Sequence, residues 1–280
     1  MPPKKYFLPP AEETFVYDQE KDDLEKVGNK PEKKIVLFGL NLSDLQAIDQ
    51  LDEVMGGPYK DSFYFEKRNQ SVLIGLTNQS IEKSYEGDLI LEKINSRQYT
   101  AHVKSEKGDD IISKKFFKEI KNPEVKHYKQ KENIPKEMLQ DAELLALAVK
   151  WSWQGYKEIW NELAETCLGC GVCTYVCPLC FCFSNEDRVD LDGQKCRRCR
   201  LWDACTLPDF AEVAGGHNFH QSIKERYYNW YYHKFVRAYE EHGRPLCVGC
   251  GRCQKYCPAG ISIKEVLNKI LKEYLKEHDR

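Results

Sequence analysis

The chain has 280 residues, 31% of them charged and 41% hydrophobic, and a formal net charge of −2. That length accommodates one or two domains with a buried core, and the near-cancelled charge argues against nucleic acid or an anionic membrane as partner. Thirteen cysteines in an otherwise ordinary composition point to a reducing, cytoplasmic compartment with thiols committed to metal, and neither a transmembrane segment nor a signal core is read.

Residues 1–33 are charged and punctuated by prolines, with Phe7, Leu8, Phe15 and Val16 as isolated anchors. The pattern predicts an extended arm that docks on a surface. From residue 34 to 121 the pattern is α/β. Ile35 to Phe38 is a buried-strand run ending at Gly39. Ser43 is placed to cap a helix carrying Leu45, Ile48, Leu51 and Met55 on one face, which Gly56, Gly57 and Pro58 stop. Ser71 to Leu76 reads as a second strand. Asp88 to Leu91 and Tyr99 to Val103 are weaker candidates, the first with a helix as its alternative. The region holds no cysteine, and no glycine-rich phosphate loop follows either strand, so it is expected to be a scaffold or docking domain without a cluster or nucleotide.

Asn122 to Pro135, charged and with two prolines, is the expected domain boundary. Lys136 to Trp151 reads as a helix with Leu139, Leu144, Leu147 and Ala148 on one face, and Tyr156 to Glu165 as a second helical piece leading into Cys167.

The chemistry begins there. Cys167-x2-Cys170-x2-Cys173-x3-Cys177-Pro178 is repeated as Cys247-x2-Cys250-x2-Cys253-x3-Cys257-Pro258. This run binds cubane iron–sulfur clusters, and in two-cluster ferredoxins its fourth cysteine ligates the other cluster. Two-residue gaps in a tight loop bring three thiolates around one face of a cube, and the proline directs the chain away. The expected ligand sets for two [4Fe–4S] clusters are Cys167, Cys170, Cys173 with Cys257, and Cys247, Cys250, Cys253 with Cys177. A zinc ribbon uses paired C-x2-C and lacks this spacing, and a disulfide framework belongs to short secreted chains. The runs lie far apart, with helical sequence around and between them. An α-helical ferredoxin domain over residues 136–280 is therefore expected, and an α+β chain as a whole.

Five further cysteines fall between the runs: Cys180, Cys182, Cys196, Cys199 and Cys205. Two of them form Cys196-x2-Cys199, and four of the five are candidates for a third metal centre, either another [4Fe–4S] or a zinc knuckle. Buried free cysteine is the alternative. Arg197, Arg198 and Arg200 are placed to offset thiolate charge. Gly215 and Gly216 open a helix running to about His242, with Asn218 or Ser222 as its cap. His217 and His220 are read as structural polar residues, with metal or cluster binding as the alternative. The aromatic residues of that helix, from Tyr227 to Tyr239, are expected to pack around the clusters. From Ile261 and Ser262 an amphipathic helix carries Ile263, Val266, Leu267, Ile270, Leu271, Tyr274 and Leu275 at i, i+3, i+4, i+7 spacing.

The two runs, together with Cys180-Phe-Cys182-Phe, Trp202-Asp203-x-Cys205, Ala214-Gly-Gly-His-Asn-Phe219 and His233-Lys-Phe235, resemble the beta subunit of cytoplasmic sulfhydrogenases, a pattern shared with the A subunit of anaerobic sulfite reductase. The resemblance extends more faintly to Leu37 through Ile48, Tyr64 through Arg68 and Val72 through Leu76. The chain departs from the family where Asn41-Leu-Ser-Asp44 stands for an Arg-Pro-Cys-Asp element and where Thr77 to Ser80 lacks a cysteine, while Cys196 and Cys199 are additions. The resemblance implies an electron-transfer subunit that passes electrons between a flavin/NAD(P)H subunit or ferredoxin and a catalytic subunit. The alternatives are an enzyme reducing a disulfide or sulfur at the extra cysteines, and a structural iron–sulfur module.

Overall fold

A computed structural model describes residues 1–27, 34–79, 81, 85, 87–114, 117, 118, 139 and 141–278. The expected boundary at Asn122 to Pro135 and the start of the helix expected from Lys136 lie outside the described residues. The chain mixes helices and sheets, as an α+β protein does, and divides into two compact units. One comprises residues 1–2, 9–25 and 132–280; the other comprises residues 3–8 and 26–131.

The first segment is more ordered than an arm. Strands β1 (Ala11–Asp18) and β2 (Asp23–Lys26) are joined by a turn in which Asp22 has a φ of 47°. Both belong to a four-stranded sheet completed by β8 and β7, described below. The segment docks, and its surface is a strand edge in its own chain.

In the unit of residues 26–131, β3 (Ile35–Leu40) leads into α1 (Leu42–Met55), followed by α2 (Ser62–Asn69), β4 (Ser71–Thr77), β5 (Leu89–Lys93), β6 (Tyr99–Val103) and α3 (Glu106–Ile112). The sheet order is β3-β4-β5-β6, parallel across the first two pairings and antiparallel at the last. Leu45, Ile48 and Leu51 of α1 are fully buried, as the periodicity requires. The cap is Asn41 rather than Ser43. Asn41 has extended backbone, and its side-chain oxygen accepts from Asp44 N at 2.8 Å, the N3 position. Gly75 lets α1 approach the sheet, since a Cβ there would meet Leu45 Cδ1 at 2.8 Å. β3 is buried on one face only. Val36 and Phe38 are 56% and 66% exposed, because β3 is the sheet edge and alternate side chains point away from the core.

In the cysteine-bearing unit, α4 (Ala142–Gly155) is capped by Asp141, and α5 (Lys157–Thr166) ends at Cys167. α6 (Val172–Tyr175) follows within the first cysteine run. β7 (Phe183–Val189) and β8 (Lys195–Trp202) form an antiparallel hairpin over a turn at Gly193. The sheet order is β2-β1-β8-β7, with β1 also antiparallel to β8. This sheet lies inside the region expected to be mainly helical; Phe183 to Val189 carries no period-two alternation, and the local signal was the turn sequence Asp190-Leu-Asp-Gly193. α7 (Ile223–Tyr231) starts at Ser222 in a capping box with Glu225. Asn218 instead braces the preceding loop, donating to Pro208 O and accepting from His220 N. The helix continues through a π-helical segment at Tyr232–Arg237 into α8 (Ala238–His242). α9 (Arg252–Lys255) lies within the second cysteine run, and α10 (Ile263–His278) closes the chain. The core joins Leu145 and Val149 of α4, Trp160 of α5, Trp230, Tyr231 and Phe235 of the long helix, and Leu267 and Ile270 of α10. Among the described residues no helix is long and apolar enough to cross a membrane.

Candidate metal centre

The two cysteine runs fold as copies. Gly169 and Gly171 take φ of 61° and 73°, and Gly249 and Gly251 take 67° and 71°. Left-handed backbone at alternate positions curls each C-x2-C-x2-C into a loop, and only glycine adopts it without strain. Each loop then runs into a single helical turn, α6 or α9, which carries the third cysteine. At Gly171 there is a second constraint, because a Cβ would lie 2.9 Å from Ala204 Cβ. Backbone N–H groups turn toward sulfur in both loops. Gly169 N and Leu179 N donate to Cys167 Sγ and Cys177 Sγ, each at 3.4 Å. Gly249 N does the same toward Cys247, and Arg252 N toward Cys250. Such donors favour the thiolate over the thiol and stabilise charge on a cluster's sulfurs.

The two runs line two cavities. Cys167, Cys170, Cys173, Cys253 and Cys257 line the first, a space of about 460 Å³ that includes open solvent. Cys177, Cys247, Cys250 and Cys253 line the second, of about 330 Å³ on the same measure. The fourth cysteine of each run thus lies at the cavity of the other run. Burial pushes the Cys173 thiol up to about 12 and the Cys247 thiol up to about 11. It also raises Cys167, Cys250 and Cys253. A thiol in an apolar cradle keeps its proton until a cation replaces it, so metal loading here must release protons.

Other groups fit an iron–sulfur cluster. Trp230 Nε1 and Thr206 Oγ1 are buried without a hydrogen-bond partner, and both residues line the first cavity. An orphaned donor is costly in a dry core and is satisfied by a sulfide or thiolate acceptor. Lys234, 5% exposed, lines the second cavity. Its Nζ donates to Cys177 Sγ at 3.2 Å and to Leu246 O at 3.1 Å. Burial pulls its pKa down, but the sulfurs of Cys177, Cys180 and Cys247 outweigh that and hold it above the ordinary lysine value. Arg226, on the same long helix, is buried near Cys167 and donates to the carbonyls of Thr206, His220 and Gln221. The sequence placed Trp230 among the aromatic residues expected around the clusters but assigned no role to Lys234 or Thr206.

The five remaining cysteines fall into two groups, Cys180, Cys182 and Cys205 beside the first run and Cys196 and Cys199 on β8. Cys180 contacts Cys177, Cys182 contacts Cys205, and Cys205 lies near Cys173. Cys196 and Cys199 sit three apart on the continuous strand β8, so they point to opposite faces of the sheet. A zinc knuckle holds both cysteines of a C-x2-C pair on one side of a tight turn, and the strand pairing of β8 does not give Cys196 and Cys199 that geometry. Among the described residues no three His, Cys, Asp or Glu side chains converge as ligands of a single ion. The arginines are engaged elsewhere. Arg198 makes a two-point ion pair with Asp187 at 2.8 and 2.7 Å, Arg200 meets the buried Glu12 at 2.6 Å, and Arg197 pairs with Asp190. These pairs tie β8 to its neighbouring segments, and Arg197 and Arg198 also lie within electrostatic reach of Cys199 and Cys196. His217 is exposed and packs edge-on against Phe219, while His220 uses its backbone to accept from Arg226.

Comparison with known proteins gives the same picture. Two family profiles, each described as a 4Fe-4S dicluster domain, match residues 166–261 and 123–181. Sulfhydrogenase 2 subunit beta of Pyrococcus furiosus is 30% identical over 291 aligned residues, covering 96% of this chain and 83% of that protein. No solved structure matches the chain.

Proposed function

Because the chain belongs to the family of sulfhydrogenase beta subunits, we propose that it works as the iron–sulfur electron-transfer subunit of a multi-subunit hydrogenase or sulfur reductase, in the cytoplasm, and that it is not itself the catalytic subunit. The proposed ligand sets are Cys167, Cys170, Cys173 and Cys257 for one [4Fe–4S] cluster, and Cys247, Cys250, Cys253 and Cys177 for the other. The observation that carries the reading is the pair of cavities lined by cysteines from both runs.

A [4Fe–4S] cluster, when bound, takes up and releases one electron at a time. The chain's own residues set the conditions for that. The thiolates hold the metal, and the glycine loops aim backbone N–H groups at sulfur. Tyr227 and Trp230 line the first cavity and exclude water behind it. The unresolved partners are of two kinds, a donor module with flavin/NAD(P)H or ferredoxin and a catalytic subunit. Protein isolated anaerobically in its complex is expected to hold about eight irons per chain and no zinc, and to show two reversible one-electron reductions. Clusters that stay silent at low potential would leave only a structural role. A count near twelve irons would point to a third centre using Cys180, Cys182 and Cys205 with a further ligand. A second reading, reduction of a disulfide or sulfur by this chain, rests on the contact of Cys182 with Cys205 beside Cys173. Turnover by the isolated subunit with an artificial donor is its test.

A further inference from the structure

The two cavities differ in what offsets negative charge. At the first, Cys170 is exposed to water, and the buried Arg226 near Cys167 spends its hydrogen bonds on backbone carbonyls rather than on sulfur. Cys177, at the second, is buried, and the group beside it is the Lys234 ammonium. Lys234 reaches this place because of its helix. In the π-helical segment Tyr232–Arg237, Ala238 N bonds to His233 O, which steps the ladder by one residue. Such turns frequently mark functional positions. The Lys234 carbonyl accepts from Leu246 N at 2.9 Å, while its ammonium donates back to Leu246 O and lies 5.2 Å from the Trp230 ring centroid. Leu246 immediately precedes Cys247. The lysine is thus pinned at both ends to the start of the second cysteine run, with its charge against the fourth cysteine of the first.

We propose that Lys234 is a positioning residue that sets the reduction potential of the cluster in the second cavity through its fixed positive charge against Cys177. The inference rests on the proposed ligand sets above. A cluster gains negative charge on reduction. A dry cradle disfavours the reduced form, and an ammonium at hydrogen-bond distance from a ligand sulfur favours it. Without Lys234 the second cluster becomes harder to reduce and the gap between the two midpoints changes. The charge also acts on Cys173 at the first cavity, more weakly than on Cys177, to which it is bonded.

The test is a potentiometric titration followed by electron paramagnetic resonance on the whole complex, with iron counted in every sample. The second cluster's signal is assigned through Cys250→Ser, which perturbs the cavity that Cys250 lines. Lys234→Met removes charge and hydrogen bond, Lys234→Gln removes charge and keeps a donor, and Lys234→Arg keeps charge. The expected result is a full iron count with the assigned midpoint lowered in the Met and Gln variants, the other midpoint moving less, and the Arg variant close to wild type. Loss of about four irons in the Met and Gln variants that Arg restores also supports a charge role. Unchanged midpoints at full iron count, or equal loss in all three variants, overturn it. An iron-free wild type defeats the ligand assignment instead, so the two failures are distinguishable.

Discussion

Gly169 and Gly171 have the same left-handed backbone as Gly249 and Gly251, and each loop aims its N–H groups at its first cysteine. Residue for residue the two runs are near copies, yet their surroundings differ. The first lies beside exposed Cys170 and Leu168, with orphaned donors on Trp230 and Thr206. The second is closed by Lys234 and the π-helical segment. The difference teaches that the repeated motif specifies what is bound, while the elements packed around each copy specify how readily it is reduced.

The sharpest test of the pair concerns the exchanged fourth cysteines. Cys177→Ala and Cys250→Ala each remove about four of about eight irons, and the double variant removes no more, because both residues serve one cluster. Combining Cys257→Ala with Cys250→Ala removes both clusters. Iron and acid-labile sulfide counts decide it, and the opposite pattern would show that each run keeps its own fourth cysteine.

A pH series compares the cavities without metal. The folded pKa of Cys247 is raised from 9.0 to about 11. The stability it contributes is therefore fully present below pH 9 and is lost as pH rises through about 11. The iron-free chain should melt at progressively lower temperature across that window, and less steeply in Cys247→Ala. The iron-loaded chain, its thiols already deprotonated, should not show this dependence.

Gly171→Ala separates the loops by sterics. It meets both an unfavourable φ and Ala204 Cβ at 2.9 Å, and should cost about 1–3 kcal/mol in thermal or denaturant unfolding. The smallest effect is expected at Cys196. It lies on the sheet face opposite Cys199, so Cys196→Ser should leave the iron count unchanged and move stability within about 0.5 kcal/mol. A loss of metal there would reopen β8 as a ligand site.

Much of the proposed binding chemistry was legible from spacing, because three of the four cysteines of each proposed set share one tight loop with its glycines. The amphipathic helices α1 and α10 were legible for a similar reason, since period 3.6 with buried Leu45, Ile48, Val266 and Leu267 is written along the chain. Residues 1–33 and Phe183 to Trp202 were less so. Cys196-x2-Cys199 suggested a knuckle, but its backbone pairs with β1 and β7 on either side, and on a strand the same spacing puts the thiols on opposite faces. The pairing of β1 with β8 joins segments far apart in sequence, and no local pattern announces it. The same holds for Arg200, whose partner Glu12 comes from the other end of the chain.

The sequence by itself carried the family resemblance and the two cysteine runs that imply [4Fe–4S] clusters, because each run is written in spacing over about a dozen neighbouring residues. Only the tertiary structure decided that Cys196 and Cys199 lie on opposite faces of a strand, that Cys182 touches Cys205, and that a buried lysine stands against Cys177. Those depend on what long-range packing brings beside a loop, and charge and solvent access act through space rather than along the chain.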